Sequence, residues 1–209
     1  MNPVLIAAAA LAGALAGALV SRILTGHPYR RDAETQLPPF TGGRWLPVLT
    51  ALGAAAVASH GSWERIVLAA PILTLGVWLG AVDADVQRLP FPQVIALTLT
   101  ETVAAAAIAA THHSPWPLAW GLAGGVLAYL GFRIFHALAR GQLGYGDVTL
   151  AAPLGIAVTT LGGATGAWIW LMASFVPAAI VGLARRRTQP AALGPWLILG
   201  AILALVIAL

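Results

Sequence analysis

The sequence predicts an all-α polytopic membrane bundle of about eight transmembrane helices with both termini outside, on the strength of three observations. Of the 209 residues, 59% are hydrophobic and only 9% charged, and the mean hydropathy is +0.86, far from the balance of a water-soluble domain. Apolar stretches close to the roughly 20 residues that cross a bilayer recur along the whole chain. The basic residues, all arginine, fall almost entirely on one side of the topology those stretches define.

The first stretch, 3–24, has no basic residues ahead of it, while Arg22, Arg30 and Arg31 follow it. That order is the reverse of a secretory signal, so a retained helix is expected. The polar segment 25–44 contains Pro28, Pro38, Pro39, Gly42 and Gly43 and reads as a loop too short for a folded domain. Further spans are expected over 45–60, 66–83, 92–111, 117–138, 148–163, 165–184 and 191–209, within one membrane domain covering 1–209. The second and sixth are short enough to be tilted or re-entrant. Pro71, Pro153 and Pro177 fall inside spans, where neighbouring helices must satisfy the backbone groups they free. Gly13 and Gly17, Gly76 and Gly80, and Gly121 and Gly125 have the four-residue spacing that lets helices approach closely in lipid.

With the N-terminus outside, Arg22, Arg30, Arg31, Arg44, Arg88, Arg140, Arg185, Arg186 and Arg187 are cytoplasmic and Arg133 lies near the inner end of the fifth helix. Only Arg65 falls outside. Removing one mid-chain helix from the count would invert every later loop and destroy this bias. A net charge of +4 dispersed over several loops makes no dense basic face, so nucleic acid is not an expected partner, whereas membrane lipid is. The chain has no cysteine, which excludes disulfides, thiolate metal sites and a cysteine nucleophile. Its five histidines are scattered, and neither a metal nor a cofactor is expected.

Seven acidic residues remain to carry chemistry. Asp32, Glu34 and Glu64 lie in loops beside arginines and read as solvated surface groups. Glu101 falls deep inside the fourth span, where a carboxyl is costly; its plain reading is a protonated group bonded to a neighbouring helix or paired with Arg133 or His136. Asp83 and Asp85 close the third span, where acid opposes the helix dipole, so Asp83 is not explained as a favourable cap. Asp147 follows Gly144-Tyr145-Gly146 and precedes an apolar run, the position of an N-cap. The two glycines before it also permit close approach of another backbone. Asp83 and Asp147 are distant in sequence, yet the topology sets both at the cytoplasmic boundary. A carboxylate pair there can hydrolyse a peptide, one ionised to activate water and the other protonated to donate to the carbonyl oxygen. On helix dipoles alone, Asp147 is expected to ionise and Asp83 to hold the proton.

The chain resembles the type IV prepilin peptidases, a family of membrane aspartyl proteases with a Gly-x-Gly-Asp motif. Asp83 followed by Pro90 is similar to the first aspartate motif, and Gly144-Tyr145-Gly146-Asp147-Val148-Thr149-Leu150 to the second. Gly194-Pro195-Trp196-Leu197-Ile198-Leu199-Gly200 resembles the C-terminal segment, and Ala16 to Arg22 the N-terminal helix. The resemblance implies that Asp83 and Asp147 are catalytic, with Gly144, Gly146, Asp85 and Pro90 supporting them or the substrate. It also implies that the substrates are prepilin or pseudopilin-like precursors of a type IV pilus or protein secretion system, cut at the cytoplasmic face of a bacterial inner membrane. Thr149 stands where lysine is frequent in the family, and Phe91 where a polar residue is usual. The short loop 25–44 replaces a larger, cysteine-bearing loop of members that also methylate, so a peptidase without N-methyltransferase activity is expected. The rival expectation is a small transporter or channel component using Glu101 as an intramembrane acid.

Overall fold

The computed structural model describes residues 2–38, 40–140, 143–184 and 192–207, and among them every regular element is helical. Helix α1 (Pro3–Leu24) starts at Asn2, whose side chain accepts the amide hydrogens of Val4 at 3.0 Å and Leu5 at 3.4 Å. Helix α2 (Leu46–Ala58) packs on it through the first glycine pair. A side chain at Gly13 or Gly17 would run into the α2 backbone or Thr50. The Thr50 hydroxyl donates to the carbonyls of Gly13 at 2.6 Å and Leu46 at 2.7 Å.

Helix α3 (Trp63–Val86) contains Pro71 and, directly after it, a π-helical stretch over Ile72–Gly76. Proline lacks an N–H and crowds the preceding turn, and the wider turn absorbs that defect without ending the helix. The helix stops at Gln87, which is left-handed with φ 51° and donates its N–H to the Asp83 carbonyl at 2.9 Å. Asp83 therefore lies within the last turn of α3 instead of closing it as expected. Pro90 caps helix α4 (Phe91–Thr111), and α5 (Trp116–Leu138) follows.

The segment Tyr145–Ala184 is two helices hinged at Gly163, whose φ of 51° and ψ of −138° leave the helical region. Forty residues of unbroken helix would measure about 60 Å, twice the hydrocarbon core. The chain instead folds back, since a Cβ on Gly166 would strike the Val158 carbonyl, a contact impossible along a straight helix. We designate 145–162 as α6 and 164–184 as α7. Because α6 begins at Tyr145 and not at Val148, it is not the short helix expected. The last helix, α8, is Gly194–Ile207. The cluster Arg185, Arg186 and Arg187 lies outside the described residues.

Among the described residues, five stretches are long and apolar enough to cross a membrane: Pro3–Leu24, Trp63–Val86, Phe91–Thr111, Trp116–Leu138 and the hinged Tyr145–Leu183. The chain is thus an all-helical, multi-pass membrane protein. Leu11, Leu15, Leu19, Leu127 and Leu183 point outward, the expected surface in lipid, while Leu68, Ile72, Leu79, Leu97, Ile108, Leu154 and Leu197 fill the centre. Small residues set the remaining contacts. Gly121 and Gly125 admit Thr160 and Ile156 of α6, and Gly76 and Gly80 admit Ile198 of α8. Trp170 of α7 donates its indole N–H to the Leu197 carbonyl at 3.0 Å, fixing α8 in register beside α7.

Candidate active site

Asp83 is buried on the last turn of α3, where helix geometry alone disfavours it. The compensation comes from α8. The Gly194 backbone N–H donates to Asp83 Oδ2 at 3.0 Å, and the positive end of α8 faces the carboxyl. Gly194 must be glycine for this, because a Cβ would sit 2.7 Å from Oδ2. One turn earlier Gly80 lets Ile198 and Pro195 close on α3, which holds the α8 N-terminus in place.

Asp147 is also buried, at the third position of α6. It is not the N-cap expected from sequence; Gly144 occupies that position and its backbone amide bonds to the Asp147 carboxyl. This is the reciprocal half of a capping box, in which the third residue of the helix reaches back to the cap amide. The other oxygen, Oδ1, is buried without a protein hydrogen-bond partner among the described residues. Gly146 has a different reason to be glycine, since its missing side chain makes room for Leu89, whose Cβ would lie 3.0 Å from an added Cβ. The segment after α3 therefore rests on the loop that carries Asp147. The two carboxyls are near enough that the charge of Asp83 acts on Asp147.

The remaining candidates divide. Pro90 caps α4, its carbonyl accepting from Gln93 at 3.2 Å and Val94 at 3.3 Å, and the residue before it, Leu89, lies against Gly146. Asp85 anchors the 25–44 loop. It accepts from Arg30 Nε at 2.8 Å, from an Arg30 terminal nitrogen at 2.6 Å and from the Tyr29 hydroxyl at 2.6 Å. Arg30 also donates to the carbonyls of Leu37 and Pro38. Burial and the bond to Asp85 push the Tyr29 phenol above its ordinary range, and the same carboxylate raises Arg30.

Glu34 is not simply solvated, as its loop position suggested. It pairs with Arg88 through contacts of 3.1 and 3.0 Å, and this hydrogen bonding holds its carboxyl below the usual range. Two ion pairs of opposite polarity, Arg30 to Asp85 and Glu34 to Arg88, thus clamp the loop to the end of α3 and the segment that follows it. At the far end of the bundle Glu64 meets His112 at 3.1 Å and the Ser62 hydroxyl at 2.6 Å, so it too has partners.

Glu101 is fully buried in α4, and neither carboxyl oxygen has a partner among the described residues. Neither expected pairing forms. Arg133 lies against the Tyr145 ring and its hydroxyl, and His136 Nδ1 is 2.7 Å from the Leu143 carbonyl. Gly194 is the site residue that the motif reading quoted but did not place beside an acid; a glycine-proline pair opening an apolar stretch was the available signal. The Tyr29, Arg30 and Arg88 clamp had no local signal, since each partner lies more than fifty residues away.

No family model, characterised protein or solved structure matches this chain.

Proposed function

We propose that this chain is a membrane aspartyl endopeptidase in which Asp83 and Asp147 form the catalytic pair. One observation carries the reading: two carboxyls from distant parts of the chain are buried at one end of the bundle, each gripped at one oxygen by a glycine amide. Two neighbouring buried carboxylates repel, which favours a single proton shared between them. The ionised member then removes a proton from water as its oxygen attacks the peptide carbonyl carbon, and the protonated member donates to the carbonyl oxygen. Collapse of the tetrahedral intermediate breaks the C–N bond as the leaving nitrogen takes the proton first removed from water and an intermediate hydroxyl returns a proton to the carboxyl that donated.

The expected division of roles loses its basis, because both acids, not Asp147 alone, face a helix N-terminus. Asp147 Oδ1, free of protein partners among the described residues, is the oxygen available to exchange the proton.

In this reading all eight helices cross the membrane, with both termini outside and the acids at the cytoplasmic face of a bacterial inner membrane, as the arginine bias requires. The resemblance to type IV prepilin peptidases supplies the substrate class, a pilin-like precursor with a basic leader ahead of an apolar helix. The ion-paired 25–44 loop occupies the place of a methyltransferase segment, so cleavage without methylation is proposed. The test is co-expression with candidate precursors scored by gel shift. Asp83→Asn and Asp147→Asn must each abolish processing while the protein accumulates normally; full processing by either variant ends the proposal.

A second reading, ion transport through Glu101, is favoured by the burial of that carboxyl in mid-span without a partner among the described residues. Proteoliposome flux that Glu101→Gln abolishes, without precursor cleavage by the wild type, would establish it instead.

A further inference from the structure

Arg133 has no carboxylate partner among the described residues. It projects from α5 five residues before the helix ends at Leu138, at the same membrane boundary as Asp147. That places its Cα about 7 Å inside the helix end, a depth from which an arginine reaches phosphate headgroups. Its guanidinium lies over the Tyr145 ring, 5.8 Å from the centroid, and touches the Tyr145 hydroxyl only at 3.5 Å. Most of its five N–H groups are therefore uncommitted. His136 stacks edge-on against Tyr145 with centroids 5.9 Å apart, and Tyr129 sets its hydroxyl 3.4 Å from that of Tyr145. Tyr145 is thus held between three side chains with its ring half exposed.

Directly beneath this cluster, and sharing Tyr129 with it, is an apolar slot of about 230 Å³ between α4 and the α5–α6 pair. Phe91, Ile95, Leu99 and Thr149 line it. Its two threonine hydroxyls are spoken for, since Thr98 bonds to the Val94 carbonyl at 2.8 Å and Thr149 to that of Gly146 at 2.8 Å. The slot therefore presents an apolar wall leading inward from a cation with free donors.

We propose that this is a binding site for one anionic phospholipid, its phosphate on Arg133 beside the Tyr129 and Tyr145 hydroxyls, and one acyl chain in the slot. Charge selects this occupant. A basic peptide is repelled by Arg133, and a neutral apolar helix leaves the guanidinium without a counter-charge. Because Tyr145 and Thr149 flank Asp147 in sequence, the lipid stiffens the first turn of α6. The proposal holds whether or not Asp83 and Asp147 cleave peptides.

The full chain, purified in detergent, is mixed with phosphatidylglycerol, with phosphatidylcholine of the same acyl chains, or with soluble glycerol phosphate, and read by native mass spectrometry and thermal unfolding. We expect one retained phosphatidylglycerol, preferred about fivefold over phosphatidylcholine, with the preference lost in Arg133→Gln and kept in Arg133→Lys. Phosphatidylglycerol carrying a diazirine in its acyl chain should label Ile95, Leu99 or Tyr129 in the wild type, an arm that needs no variant to fold. An undiminished preference in Arg133→Gln overturns the site. So does equal stabilisation by glycerol phosphate, which would mean an anion site without a chain. Labelling spread evenly onto Leu11 and Leu15 of α1, or label displaced by an added basic peptide, would also overturn it.

Discussion

The backbone amide of Gly194 donates to Oδ2 of Asp83 at 3.0 Å, joining the first turn of α8 to the last turn of α3 across 111 residues of sequence. This single bond answers why an acid survives at a helix C-terminus. The unfavourable end of one dipole is offset by the favourable end of another. It also makes the position of Asp83 depend on α8, an element with no acid of its own.

Gly194→Ala should therefore behave as a site variant. The added methyl meets the Asp83 carboxyl at 2.7 Å, so the carboxyl or α8 must shift. Overpacking of this kind costs about 1–3 kcal/mol, and processing should fall at least about tenfold because the carboxyl is displaced. Precursor cleavage and the unfolding midpoint are measured together. Wild-type values for both would show that the close approach is not required.

The loop clamp is separately testable. The Asp85 and Arg30 side chains are 6% and 5% exposed, so Asp85→Ala leaves the Arg30 guanidinium and the half-buried Tyr29 phenol without their shared acceptor. Losing the carboxylate removes the three contacts by which Asp85 holds the loop. Limited proteolysis should cut the 25–44 loop of the variant many times faster than that of the wild type. Equal cutting rates would contradict the clamp.

The second pair sets a pH limit on the same loop. Glu34 has a depressed pKa in the folded protein, caused first by the Arg88 hydrogen bond and then by the Arg31 amide. A depressed acid contributes stability above its unfolded pKa of about 4.3 and loses it as pH falls through the folded value. Protection of the loop should persist down to the free-glutamate range and decline only below it. Glu34→Gln should remove that acid dependence, and a variant that kept it would assign the titration elsewhere.

Glu101 supplies a prediction of opposite sign. Its carboxyl is buried with both oxygens unpaired among the described residues, and an unsatisfied buried polar group costs about 1–3 kcal/mol. Glu101→Met, similar in volume and apolar, should raise the unfolding midpoint, and Glu101→Gln should leave precursor processing intact. Lost processing in a folded Glu101→Gln protein would make the residue functional.

The hinge at Gly163 isolates a purely conformational effect. Among the described residues nothing lies within 4 Å of an added Cβ there, yet φ is 51° and ψ lies outside any helix. Gly163→Ala should lower stability by about 1–2 kcal/mol through backbone strain alone. Calorimetry or thermal fluorescence in one detergent suffices to read it, and an unchanged midpoint would show that the fold-back relaxes without glycine.

The sequence by itself determined where the chain is helical and which acids have no surface explanation. Apolar length and arginine placement are local quantities that lipid enforces directly. Even the break between α6 and α7 was legible, because the predicted spans 148–163 and 165–184 meet at the Gly163 hinge. The glycine pairs of α1 and α5 were legible for a related reason, since close helix contact in lipid leaves little choice but small residues.

Only the tertiary structure decided what each acid touches. Asp147 read as a cap and proved to be the third helical residue, because its carboxyl gains more from reaching back to Gly144 than from starting the helix itself. Glu34 and Asp85 read as surface or supporting charges and proved to be two halves of a clamp, while Glu101 found none of its expected partners. A carboxyl's partners are set by which helix ends and loops meet in space. No local pattern records that α8 begins beside the last turn of α3.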